Sequence, residues 1–344
     1  MMSLLVLLLA AAAAATNITC PNANAIVPCI CTKEFTNTST RLNLDCSPVT
    51  SDSSLQSVFQ QSFPCLDFWS LTINPKTPHS NLTALNAYVF GEVTFVHVFI
   101  DNTYISTVHE EAFYASHTTL TNLTLTNNNI TEFPFEAMPS FLHLRNLSLS
   151  NNKLLSLPNL ESDSLEVLDL SFNTALTFSE DTLKGTPQLS DIYFHDMNLP
   201  YFPPNVFSSL NRLKLIDLSH NSLKGNLVQG ILRVPLDSVE EVRLNNNYIS
   251  GITSTAITGV HRTATIDFSN NEIVALEWKD WYPLLDQLTG VEVVDLTNNK
   301  LQCSCDLVWL LLDKDELNKI NSKTKCMNGT LIRDLNVDSL LIVC

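Results

Sequence analysis

Glycine is scarce in this chain, 8 in 344 residues, and those few never form G-x-S-x-G, G-x-G-x-x-G or a phosphate loop. A nucleophile elbow, a dinucleotide site and a nucleotide cradle all need glycine where the backbone turns sharply or meets a phosphate. Their signatures are therefore missing, and so is H-E-x-x-H. Positive charge is thin as well: 19 Lys and Arg stand against 35 Asp and Glu, a formal net charge of -16. Nucleic-acid phosphates demand a basic face, which excludes nucleic acid as a partner. Cysteine is absent from the whole stretch between Cys65 and Cys303. After the opening residues no apolar run approaches the roughly 20 residues that a spanning helix requires.

What is present begins with an apolar leader. Met1 to Ala15 is a leucine and alanine run ending Ala13-Ala14-Ala15, which fits a secretory signal peptide with a small-residue cleavage site over 1–15. It is too short to anchor the chain in a membrane. Cysteine usage agrees with secretion. Cys20, Cys29, Cys31, Cys46 and Cys65 cluster early, and Cys303, Cys305, Cys326 and Cys344 cluster late. Disulfide caps sealing the two ends of a repeat array account for that distribution, and an oxidising compartment argues against zinc.

The array itself is legible between the clusters. Leu213-Lys214-Leu215-Ile216-Asp217-Leu218-Ser219-His220-Asn221-Ser222-Leu223 reads L-x-x-I-x-L-x-x-N-x-L, the strand and turn of a leucine-rich repeat. Repeats open at Phe68, Phe95, Leu120, Leu144, Leu165, Leu189, Leu213, Val239, Thr263 and Val291, mostly about 24 residues apart. One such unit cannot bury its own apolar side, so stacked units share one core and one parallel sheet. The expected fold is an α/β solenoid: a right-handed leucine-rich repeat superhelix with a parallel concave sheet. Its expected parts are an N-terminal cysteine-rich cap over 16–66, about ten repeats over 67–302 and a C-terminal cap over 303–344. Prolines in the second half of the units predict turns and short 3₁₀ pieces on the convex side. Leu307 to Leu312 predicts an amphipathic helix running towards Ile320.

The ninth position of the unit holds Asn128, Asn152, Asn173, Asn221, Asn247, Asn271 and Asn299. Buried asparagine offers both donors and acceptors to bare backbone groups, so this column predicts a structural ladder through the core. Thr103 and Met197 interrupt it, which predicts an irregularity beside Asp196 and Asn198.

Binding is expected on the concave face, where strand residues alternate outward. One outward column reads Thr72, Phe99, Thr124, Ser148, Asp169, Tyr193, Asp217, Arg243, Asp267 and Asp295. Its neighbour reads Ser70, His97, Asn122, Asn146, Val167, Asp191, Leu215, Glu241, Thr265 and Val293. The mixture of Val167, Asp191, Tyr193, His195, Leu215, Asp217, Glu241 and Arg243 suits a protein-binding hot spot, against the plainer reading of a solvated sheet face. His195-Asp196 near Tyr193 and His109-Glu110-Glu111 read as non-catalytic. Sequons stand at Asn17, Asn37, Asn81, Asn122, Asn129, Asn146 and Asn328. Asn122 and Asn146 share one concave column, so sugar there would push a protein contact C-terminal of them, towards Val167 to Arg243.

Several stretches are more particular than the generic repeat. They are Ile26-Val27-Pro28-Cys29-Ile30-Cys31, Phe63-Pro64 with Phe68-Trp69, Val89-Phe90 through Thr94-Phe95, Ala112-Phe113-Tyr114-Ala115-Ser116, and Ile130 through Glu136. With these the chain resembles the crustacean oplophorus-luciferin 2-monooxygenase non-catalytic subunit family of secreted leucine-rich repeat proteins. The resemblance implies a secreted partner subunit of a coelenterazine luciferase complex, without cofactor or catalytic residues of its own. Precedent among capped repeat proteins implies the pairings Cys20–Cys31, Cys29–Cys46, Cys303–Cys326 and Cys305–Cys344, although spacing alone permits others. Cys65 is then odd: buried and inert, displacing a cap pairing, or bridging to another chain. The alternative function is an extracellular recognition protein of innate immune, adhesion or matrix type.

Overall fold

The computed structural model describes residues 18–76, 81–235 and 237–344. The leader and the Asn17 sequon lie outside these residues. One sheet of twelve strands runs from Ile30 to Asp295. It starts with an antiparallel hairpin, Ile30–Phe35 against Thr40–Asp45. From Thr40–Asp45 onward the neighbours are parallel, through Asp67–Ile73, Thr94–Ile100 and then the short strands that end at Val294–Asp295. Sequence order is sheet order, as stacked repeats require.

Two buried apolar residues, leucine in several units, set each repeat strand. In Asn122–Thr124 the side chain of Leu123 points in, that of Thr124 out, and Leu125 just beyond points in again. A left-handed residue at the eighth position of the unit then turns the chain away from the strand. Phenylalanine thickens the core: Phe59, Phe68, Phe90 and Phe95 pack edge-to-face or tilted near the start, as do Phe178, Phe194 and Phe202 in the middle. Burying each such ring stabilises the fold by roughly 1.5–3 kcal/mol.

The caps close both ends with the four pairings Cys20–Cys31, Cys29–Cys46, Cys303–Cys326 and Cys305–Cys344. Cys65 is free and partly buried, its thiol 3.7 Å from the Asp67 carbonyl. At the N-terminal end Ser51 caps the helix Asp52–Phe59. The Asp52 carboxylate then takes the Thr83 amide at 2.6 Å and the Thr83 hydroxyl at 2.7 Å, tying the cap to the first repeat.

Several details differ from expectation. The C-terminal helix is two helices, Val308–Leu312 and Lys314–Lys319, because Asp313 turns extended and caps the second one. The convex side holds short parallel pairs besides turns: Ala84–Leu85 with Thr107–Val108, Lys224–Leu227 with Tyr248–Ile252, and Leu232–Arg233 with Ile257–Thr258. Neighbouring repeats of near-equal length bring these loops into register. Gly259 stands in the last loop at φ +84, where a Cβ would collide with the Val234 carbonyl. In the longer final repeats the opening position leaves the core. Thr263 is exposed and Val291 is 71% exposed, while Ala264 and Leu288 fill the interior.

The ninth-position asparagines are all engaged with backbone. Asn173 donates to the Leu149 carbonyl (3.0 Å) and the Leu170 carbonyl (2.8 Å), and accepts from the Leu154 amide (3.1 Å). Asn152, Asn221, Asn247, Asn271 and Asn299 repeat that pattern. At the N-terminal end Asn128 accepts from both the amide and the hydroxyl of Thr103. At the other interruption Met197 is buried, its amide donates to Asn221, and Asn198 turns left-handed at φ +56.

Candidate functional site

The concave face divides into two surfaces. On the C-terminal surface Val167, Asp191, Leu215 and Glu241 stand in register, as do Asp169, Tyr193, Asp217 and Arg243 beside them. All but one of these side chains are half-buried. The exception corrects an expectation, because Asp217 is only 4% exposed. One of its oxygens takes the Ser219 amide at 3.0 Å and the Ser219 hydroxyl at 2.6 Å, and the other takes Arg243 Nη1 at 3.0 Å. Asp217 therefore serves the fold and orients Arg243 rather than meeting solvent.

That role is repeated down the column. Asp169, Asp267 and Asp295 each accept the amide two residues on, from Ser171, Ser269 and Thr297, at 2.8–3.0 Å. These are aspartate turns that end each strand. The acidic stripe is thus partly a backbone device, although its charges remain on the face.

Arg243 also holds Glu241 through Nε at 2.7 Å. Burial opposes its charge, but the bonds to Glu241 and Asp217 outweigh that and raise its pKa above the ordinary value. Burial likewise raises the Tyr193 phenol, and the neighbouring Asp191 adds to the effect. Tyr193 remains a neutral ring with a hydroxyl, the amphipathic kind of group that recurs at interface centres. His195 binds Asp196 at 3.0 Å and meets the edge of Phe172 with ring centroids 5.1 Å apart.

Phe172 is a residue that sequence reasoning missed. The eighth position turns left-handed at Asn102, Asn127, Asn151, Phe172, Asp196, His220, Asn246, Asn270 and Asn298. Asn, Asp and His tolerate that backbone, whereas a bulky side chain there is an outlier. Phe172 adopts φ +62 and is 43% exposed, at the rim of the surface that carries Tyr193. The signal was available, as the one aromatic residue in a column of small polar ones.

The N-terminal surface differs in chemistry. The Arg41 guanidinium lies 3.6 Å from the centroid of the Trp69 ring, and Trp69 meets His97 at 4.6 Å. Phe99 lies on the same face and is 38% exposed. Burial holds the His97 pKa below its usual value, partly offset by its hydrogen bond with Asn122. Asn122 and Asn146 follow in register. Sequence periodicity did not single out Trp69, which lies on the strand Asp67–Ile73 between buried Phe68 and outward Ser70, off the two outward columns. Of the other described sequons, Asn37, Asn81 and Asn328 are exposed and Asn129 is half-buried. None of the sequons falls between Asn146 and Asn328.

A curved parallel sheet with sealed ends and an open inner face defines a leucine-rich repeat binding scaffold. Residues 163–223 match the leucine rich repeat family model. A chain in the octameric complex of latrophilin 3, Unc5D and FLRT2 superposes with a TM-score of 0.68 at 21% identity, covering 85% of this chain and 87% of that one. Podocan-like protein 1 of Homo sapiens is 27% identical over 46% of this chain and 36% of its own length. The match to the Oplophorus-luciferin 2-monooxygenase non-catalytic subunit of Oplophorus gracilirostris is fuller: 31% identity over 93% of this chain and 86% of that protein. The chain belongs to the family of that subunit.

Proposed function

We propose that this chain is a secreted, non-catalytic binding subunit whose concave face between Val167 and Arg243 docks a secreted partner protein. The observation that carries the reading is the relationship to a subunit named non-catalytic over nearly the full length of both chains. In this reading 1–15 is a leader removed on secretion, 16–66 and 303–344 are caps, and 67–302 carries the binding face. Any monooxygenase chemistry belongs to the partner, a luciferase-type catalytic chain, and this chain needs no cofactor. Among the described residues no helix is long and apolar enough to cross a membrane.

The docking surface combines an aromatic centre, Tyr193 with Phe172 and His195, with aliphatic Val167 and Leu215. Around them Asp169, Asp191 and Glu241 outnumber Arg243, whose charge is already matched by buried Asp217, so the face favours a partner with basic residues. The test is co-secretion with a candidate luciferase chain, followed by affinity capture and addition of coelenterazine. The expected result is capture that Tyr193→Ala weakens by about tenfold or more, with no light from this chain alone. Light from the purified chain would overturn the reading, and so would capture indifferent to Tyr193→Ala.

A further inference from the structure

The N-terminal concave surface carries an aromatic platform that the docking proposal does not use. We propose that the N-glycan of Asn122 lies across this platform, so that sugar and rings form a fixed contact within the molecule. The proposal rests on the secreted reading, because the sugar is added only in the secretory pathway. There the Asn122 amide nitrogen displaces lipid pyrophosphate from C1 of the first sugar of a lipid-linked oligosaccharide and gives up one proton.

Register carries the argument. The sequon Asn122-Leu123-Thr124 lies on a strand, so Leu123 enters the core while Asn122 and Thr124 leave the concave face together. Asn122 is paired with His97 and Thr124 with Phe99, at the strand spacing of about 4.8 Å. Trp69 lies one strand further, against His97. A sugar attached to Asn122 therefore begins beside two rings and within reach of a third. The Asn122 carbonyl oxygen accepts from the Thr121 hydroxyl at 2.9 Å, and glycosylation uses the amide nitrogen, so that bond survives modification. A pyranose presents an apolar C–H face. Laying it on Phe99 and Trp69 removes hydrocarbon surface of both from water.

Asn146 supplies an internal control. It stands in the same column on the next strand, but its paired neighbours are Asn122 and Val167, with no ring beside it.

The experiment secretes the full chain from a glycosylating host and maps each sequon by glycopeptide mass spectrometry. The folded protein is then treated with an N-glycan amidase, and release is timed at each site. Asn122 should be occupied and should lose its sugar several-fold more slowly than Asn146. Phe99→Thr, which installs the residue found at this position in the next repeat, should bring the two rates together. Asn122→Gln should lower Tm by about 2 °C in the parent and not in the Phe99→Thr background. Equal release rates that Phe99→Thr leaves unchanged would overturn the proposal. A bare Asn122 beside glycosylated Asn37 and Asn146 would also overturn it, with secretion intact. All sequons bare would overturn both.

Discussion

The two halves of the concave face are built on one core and end in different chemistry. From Thr94 to Ser148 the outward residues are aromatic or small and polar, and two of them head sequons. From Val167 to Arg243 they are aliphatic, aromatic and charged, and sequons are absent. Beneath both halves run paired buried apolar residues and the asparagine ladder. The comparison teaches that in this scaffold the inward positions are fixed by burial and backbone satisfaction, so specificity is written only in the outward ones. In the proposed reading the same asymmetry separates a surface covered by sugar from one open to a partner protein.

The largest expected effect tests the shared core. Asn173→Ala leaves the Leu170 carbonyl and the Leu154 amide without their side-chain partner, while the Leu149 carbonyl keeps Asn152, a loss of about 3 kcal/mol. Asn128→Ala in the other half, which loses contacts to Thr103 and the Ile100 carbonyl, should cost a similar amount in denaturant unfolding. Unequal costs would mean that the halves differ below the surface as well.

Tyr193→Ala should weaken partner binding by about tenfold or more with Tm nearly unchanged, while His97→Ala should leave binding intact. Titration by calorimetry separates the two, and equal losses would erase the distinction between the surfaces.

Arg243→Ala should affect both stability and binding. It strands the buried Asp217 carboxylate, but the arginine side chain is 37% exposed, so solvent screening limits the stability cost to about 1 kcal/mol. Phe172→Asn should act in opposite directions. Relief of the left-handed backbone should stabilise the protein by about 1 kcal/mol, while loss of the exposed ring weakens binding. Thermal unfolding and titration of the one variant check both signs.

The smallest effect is one of pH. Burial holds the pKa of His97 and of His117 below the ordinary value, so the unfolded chain takes up these protons first. The stability they contribute is present above about pH 6.5 and is lost as pH falls towards their folded values. Hydrogen exchange corrected for intrinsic rates should show Thr94–Ile100 and its neighbours loosening below pH 6.5, and His97→Gln should reduce that response.

The repeat architecture was legible because burial enforces a period: a leucine two residues from the next, then asparagine at a fixed offset, cannot be mistaken for another fold. Cap pairings came from resemblance to relatives, since spacing alone permits other connectivities. The face was harder to read. Asp217 and Tyr193 occupy the same outward column, yet one is folded back onto Ser219 and Arg243 while the other is not, and only geometry distinguishes them. Phe172 and Trp69 were overlooked because they lie off the two alternating outward columns, Phe172 on the left-handed turn after its strand and Trp69 beside the buried opening residue Phe68. Val291 matches the motif but lies outside the core, because the longer loop before it supplies Leu288 instead.

The measurement that tests the central claim most directly is hydrogen exchange on the protein isolated from its native source, with and without any chain that co-purifies. The account predicts that a secreted partner chain co-purifies and that its binding slows exchange in the strands from Val167–Asp169 to Glu241–Arg243, leaving Asp67–Ile73 and Thr94–Ile100 unchanged. Protection centred on those two N-terminal strands, or a protein recovered without any partner, would contradict it.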